Sequence, residues 1–240
     1  MSSHPLVLVP GLLCDQAVWH PLLAALQPQH TVHVAQHGLA DSLPAMAEQI
    51  LASAPPRFAL AGHSMGGRVA LEVWAQAPQR VSHLALLDTG FEGLAEGETG
   101  ERERAGRLRL LQLARTEGMR AMAQDWARGM VHPDRLSDAP LMQGIYDMLA
   151  RATPEVFAAQ IGALLQRPDR STLLASITVP TLVLCGREDS WSTLDRHRDM
   201  AGRISGSTLV DVPHCGHMCT LEQPEAVSRA LLAWLSDEPR

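Results

Sequence analysis

Gly62-His63-Ser64-Met65-Gly66 sets a hydroxyl between two glycines, each two residues away. The apolar run Phe58-Ala59-Leu60-Ala61 precedes it and a helical pattern over 68–77 follows. Strand, tight turn and helix in that order are the context that gives Gly-x-Ser-x-Gly its meaning. Such a turn is strained, so the residues two before and two after the serine must be small. The hydroxyl of Ser64 is then held out at the top of a sheet. The N–H of Met65, at the helix start, points toward a developing oxyanion and gains from the helix dipole.

A hydroxyl is a weak nucleophile and needs a base. His217, in Val212-Pro213-His214-Cys215-Gly216-His217-Met218, comes soon after the last strand-like run. The acid is expected between nucleophile and base in the chain order. Asp189, in Cys185-Gly186-Arg187-Glu188-Asp189, fits: it would orient His217 and stabilise the imidazolium. The loop Pro10-Gly11-Leu12-Leu13-Cys14-Asp15 follows the first strand, and the N–H of Leu12 is the expected second oxyanion donor. The expected site is therefore Ser64, His217 and Asp189 with the N–H groups of Leu12 and Met65, without cofactor or metal.

Each residue has a plainer alternative. Ser64 can be an ordinary helix-capping serine. His214 is a rival base, but it follows the strand too closely. Glu188 and Asp88 are rival acids, and Asp88 also reads as a turn residue. His63 reads as packing beside the serine, and Asp15 as a helix cap. His214-Cys215-x-His217-x-Cys219 matches no standard zinc spacing.

The elements that must position these residues alternate. Short apolar runs at 6–9, 31–34, 58–61, 81–87, 181–185 and 208–212 read as strands. Helical patterns fall at 16–26, 45–54, 68–77 and 224–235. Alternation predicts βαβ units, a parallel sheet and right-handed crossovers. From 91 to 176 there is only helical periodicity, with Met122, Trp126, Met130, Phe157 and Ile161 among its apolar positions. This predicts a core of 1–90 and 177–240 with a helical cap of 91–176. The cap would sit at the carboxyl ends of the strands, where such sheets bind ligands.

Composition narrows the function. The chain has 240 residues, 46% hydrophobic and 19% charged, with a net charge of −6. That fits one large globular domain, or one with an insertion. All 20 basic residues are arginine, which removes lysine-based chemistry such as Schiff bases and the P-loop. No basic run points to nucleic acid. No apolar run reaches the ~18 residues of a membrane span, and the N-terminus lacks a basic leader. Four cysteines without a Cys-x-x-Cys read as reduced thiols, so a cytoplasmic protein is expected.

These motifs resemble the α/β-hydrolase superfamily, in particular small bacterial serine esterases. The resemblance rests on Val9-Pro10-Gly11-Leu12-Leu13, Gly62-His63-Ser64-Met65-Gly66-Gly67, Leu86-Leu87-Asp88-Thr89, Leu184-Cys185-Gly186-Arg187-Glu188-Asp189, and Cys215-Gly216-His217 with Leu221-Glu222-Gln223-Pro224. It implies a doubly wound, mostly parallel six-stranded sheet of order 2-1-3-4-5-6. It also implies hydrolysis of a small carboxylic ester by a monomer or homodimer. Pro10 stands where many relatives have His, and Ser190-Trp191-Ser192-Thr193 follows the acid where many have Pro. In some hydrolases of this fold the acid stands at Asp88's position. The same triad serves lactone, enol-lactone or thioester hydrolysis, C–C cleavage or peracid formation, and also slow-turnover ligand receptors.

Overall fold

The computed structural model describes residues 5–237. Six strands form one parallel sheet: β1 (Leu6–Val9), β2 (Val32–Val34), β3 (Phe58–His63), β4 (Val81–Leu87), β5 (Thr181–Gly186) and β6 (Thr208–Val212). Their order is β2-β1-β3-β4-β5-β6. Every residue of β1, β3, β4 and β5 is buried. Strands covered on both faces call for near-continuous apolar runs, and these strands are mostly apolar, with Ser82 and His83 of β4 among the buried polar exceptions. The edge strands β2 and β6 are only partly buried.

Helices α1 (His20–Leu26), α2 (Leu43–Ser53) and α3 (Met65–Gln76) connect the first four strands. Helix α2 packs on α3. The crossover through α1 leads away from β1 in the opposite direction to that through α3, so right-handedness puts these helices on opposite faces. The chain order therefore reverses between β1 and β3, and the crevice at their carboxyl ends is where an open α/β sheet takes its ligand. Register fixes what meets there: Val9 pairs with Gly62, Gly62 with Leu86, and Leu87 with Leu184.

Between β4 and β5 lie α4 (Gly97–Glu117), α5 (Met119–Trp126), α6 (Ala139–Ala150) and α7 (Pro154–Leu165), with no strand among the described residues. Helix α5 packs on α4 and α6, and α4 packs on α7. Asp138 and Thr153 cap α6 and α7, each with a proline in the first turn. Helices α8 (Leu194–Arg203), α9 (Cys219–Glu222) and α10 (Pro224–Leu235) complete the chain.

One expectation needs correcting, and one helix was not expected. The helix expected over 16–26 is a 3-10 turn (Gln16–Val18) followed by α1. Pro21 has no N–H to bond back into a preceding turn, so the helix restarts there. Asp15 still caps the turn, accepting the N–H of Ala17 at 2.8 Å. Helix α8 has no counterpart in the sequence reading.

Candidate active site

Ser64 sits between β3 and α3 with φ 56° and ψ −120°. An L-residue rarely adopts this backbone, and such strain persists only where the surroundings enforce it. They do so through backbone packing. A Cβ on Gly62 would lie 2.3 Å from the Gly66 carbonyl oxygen, and one on Gly66 would lie 2.0 Å from that of Val9. The Ser64 N–H donates to the Leu87 carbonyl at 2.9 Å, and its carbonyl accepts the Thr89 hydroxyl at 2.6 Å. Ser64 stands at the N-cap of α3, yet its side chain makes no capping bond. The hydroxyl is thus free for another partner, and the plain capping reading does not hold.

That partner is His217. Its Nε2 lies 2.8 Å from Ser64 Oγ, and its Nδ1 lies 2.7 Å from Asp189 Oδ2. A carboxylate only accepts, so Nδ1 carries the proton and Nε2 is left to accept from the serine. Asp189 is buried, and its other oxygen accepts the N–H groups of Trp191 at 2.8 Å and Ser192 at 3.0 Å. The loop after Asp189 therefore holds its carboxylate without a proline. Burial pushes the His217 imidazole down. The Asp189 carboxylate, helped by Asp88 and Glu222, outweighs this and holds it above the ordinary value of 6.5.

A layer of buried polar groups lies behind the histidine. His63 Nε2 is 2.8 Å from the His217 carbonyl and donates to it. Asp88 is fully buried at φ 46°. It accepts the Gly186 N–H at 2.8 Å and the Cys219 N–H at 3.2 Å, and lies 3.6 Å from His63 Nε2. It thereby ties the segment that leads to Asp189 to the one that follows His217. It does not touch the His217 ring nitrogens, which are taken by Asp189 and Ser64. His214 is exposed and points away from this arrangement, with its ring against His132. Glu188 is turned to the Cys215 N–H.

Asp88, Cys185 and Asp189 lie close enough to share an ion. The donor set does not fit one. Both carboxylates are spent on backbone N–H groups and His217, and burial pushes the Cys185 thiol up, away from the thiolate a metal needs.

Leu12 and Met65 border a cavity of about 470 Å³ that opens on Ser64 and His217. Neither N–H has an acceptor within the protein among the described residues. The loop carrying Leu12 is anchored twice. His37 Nε2 donates to the Pro10 carbonyl at 3.1 Å, and the Leu13 N–H donates to Gln160 Oε1 of α7 at 2.8 Å. Neither anchor was legible in the sequence, since both contacts are distant along the chain. The apolar wall holds Trp126 of α5 stacked on Trp191 with centroids 5.6 Å apart. Trp191 in turn lies 5.1 Å from the His217 ring.

A doubly wound parallel sheet with a strained serine at its switch point defines an α/β hydrolase. The chain belongs to the alpha/beta hydrolase family, whose model matches residues 6–230. It is 28% identical over 238 residues to a pimeloyl-[acyl-carrier protein] methyl ester esterase of Nitrosomonas europaea, covering 93% of this chain and 92% of that one. It is 28% identical over 179 residues to a 3-oxoadipate enol-lactonase of Acinetobacter baylyi, covering 74% of this chain and 63% of that protein. Among solved structures it is similar to a malate-bound thermophilic esterase from Thermogutta terrifontis. That match has a TM-score of 0.85 and 27% identity, and covers 97% of this chain and 89% of the other.

Proposed function

We propose that this chain is a carboxylic-ester hydrolase working through Ser64, His217 and Asp189. His217 Nε2 takes the hydroxyl proton as Ser64 Oγ attacks the ester carbonyl. The N–H groups of Leu12 and Met65 receive the oxyanion, with the end of α3 adding its dipole. The tetrahedral intermediate collapses, and His217 returns the proton to the leaving alcohol. Water then attacks the acyl-enzyme, with His217 as base again, and releases the acid and Ser64. Asp189 holds the tautomer and stabilises the transient imidazolium.

The observation that carries this reading is the Ser64–His217–Asp189 chain of 2.8 and 2.7 Å contacts at a strained, uncapped serine. The cavity volume suits a small ester better than a long-chain lipid. The segment 91–176 acts as a cap, since Trp126, Met130, Phe157 and Ile161 of that segment wall the cavity. No described helix is long and apolar enough to cross a membrane. The four cysteines are free thiols, which supports a cytoplasmic enzyme. Lactone or enol-lactone opening by the same steps is the second reading, favoured by the likeness to an enol-lactonase.

Hydrolysis of p-nitrophenyl esters from acetate to decanoate, with Ser64→Ala alongside, tests the proposal. A loss of about 10⁴-fold or more in kcat/KM for Ser64→Ala is expected. Equal activity in both proteins, or an inert wild type, would remove the serine-esterase reading.

A further inference from the structure

One wall of the cavity is built of arginines that the steps above do not use. Arg68 lies four residues after Ser64, in the first turns of α3, and both border the cavity. Its guanidinium lies over Gly90, where an added Cβ would come within 2.6 Å of Nη2 and 3.3 Å of Arg196 Cδ. Nη1 donates to the Glu92 carbonyl at 2.7 Å. The same carbonyl accepts Arg167 Nε at 3.3 Å. Two cations thus converge on one uncharged oxygen.

The nearby carboxylates are already taken. Glu103 makes a two-pronged pair with Arg167, 2.8 Å on each side, and also accepts Arg107 Nε at 2.9 Å. Burial would raise the Glu103 carboxyl, but these arginines override it and hold it at about 2. The Glu92 carboxylate faces Arg196 at 3.4 Å. Arg68, Arg107, Arg167 and Arg196 therefore share two carboxylates, and all four line the cavity. Arg68 forms no ion pair with any described residue, and its Nε and Nη2 have no acceptor there. Burial, with Arg167 and Arg196 beside it, brings Arg68 down to about 9, so it still carries its charge at neutral pH.

A purely structural role accounts for part of this wall, because the Arg167–Glu103 pair joins α4 to the segment after α7. It does not account for Arg68. An unpaired cation crowded by other cations is costly to hold away from bulk water. Arg68 lines the cavity beside Ser64, Gly90 and Arg196, with Nε and Nη2 uncommitted.

We propose that this wall is an anion subsite, and that the preferred substrate is an ester or lactone carrying a second, acidic group, a carboxylate or a phosphate, held by Arg68 and Arg196. The inference rests on the hydrolase reading above. A guanidinium offers a planar fork of donors that matches either oxyacid. Anchoring a remote charge there would orient the reacting carbonyl at Ser64, where binding energy lowers the barrier.

The test compares methanol release from monomethyl glutarate, dimethyl glutarate and the methyl ester of 3-phosphonopropanoic acid. Wild type is expected to favour an acidic ester over the diester by about tenfold or more in kcat/KM. Whichever acidic ester is faster identifies the group. Arg68→Gln and Arg196→Gln should each bring the acidic-to-neutral ratio toward one, mainly through KM. Free glutarate should compete with p-nitrophenyl butyrate in wild type, and less well as salt is added. This arm does not depend on a variant folding. An enzyme that hydrolyses p-nitrophenyl butyrate but favours the diester and ignores glutarate overturns the subsite and leaves the hydrolase reading intact. If no ester is hydrolysed, that reading fails instead. Calorimetric titration of wild type with glutarate then decides the subsite: saturable binding lost in Arg68→Gln upholds it, and no binding overturns it.

Discussion

The Glu222 carboxylate grips both peptide N–H groups that flank His217: Oε1 accepts from Gly216 at 3.0 Å and from Met218 at 3.2 Å. Its other oxygen accepts the His132 N–H at 2.7 Å. Two residues earlier, the Met130 carbonyl accepts the N–H of His217 itself at 2.7 Å. The histidine loop is therefore held between α9 and the segment that follows α5.

Glu222→Gln should uncouple that hold. An amide has one accepting oxygen, so at least one of the three N–H groups would face an NH₂ and be left unsatisfied. The stability cost is about 1–3 kcal/mol. With the imidazole no longer pinned, kcat should fall about 10- to 100-fold while KM changes less. Thermal unfolding and steady-state kinetics on the same preparation check both parts. Wild-type kcat in a destabilised variant would reduce Glu222 to a purely structural group.

The rate should depend on pH through His217. A base must be neutral, and His217 is held above 6.5. kcat/KM should therefore rise with pH across a midpoint above 6.5. The stability contribution of this group runs the other way. Because its folded value exceeds the unfolded one, its contribution is fully present below 6.5 and is lost as pH rises through the folded value. Asp189→Asn removes the main charge that raises the imidazole. The acid limb should then move to lower pH and the rate fall by about 10⁴-fold. A limb that stays in place in Asp189→Asn would take the orienting role from Asp189.

The glycines of the serine turn are fixed by backbone contact, which no side chain can relieve. Gly66→Ala would drive a Cβ to within 2.0 Å of the Val9 carbonyl oxygen. A loss above about 4 kcal/mol, or failure to fold, is expected. Gly144 in α6 is exposed, and an added Cβ there meets nothing within 4 Å. Gly144→Ala should stabilise the protein by about 0.5–1 kcal/mol. Chemical denaturation of the pair checks the contrast.

This contrast also explains what was legible in the sequence. The serine turn could be read because its demand for glycine is local, and the inner strands because burial on both faces makes them mostly apolar. Helix α8 could not. Its sequence Leu194-Asp195-Arg196-His197-Arg198-Asp199 is mostly charged, and only His197 and Met200 of the helix are buried. The polar layer was equally hidden. Asp88 read as a turn residue because Gly186 and Cys219 meet it only in the fold. Glu222 and the arginine wall depend on the same long-range assembly: Arg68 and Arg167 stand almost 100 positions apart and share one carbonyl.

The tryptophan pair gives the last prediction. Trp191 belongs to the loop that holds Asp189, while Trp126 ends α5, so their 15° stack joins α5 to that loop. Trp126 also lies 5.9 Å from Phe157 of α7, continuing the apolar wall. Trp126→Ala removes the outer half of the stack without touching Ser64, His217 or Asp189. It should enlarge the cavity and admit more water, so the optimum in a p-nitrophenyl ester series should move to longer acyl chains. KM for short esters should rise about 10-fold, in line with the loss of roughly 1–2 kcal/mol of aromatic contact. The pH midpoint should stay where it is, because Asp189 and its hydrogen bonds remain. A moved midpoint with an unchanged chain-length optimum would mean that the stack positions the acid loop, and that the cap takes no part in shaping the substrate site.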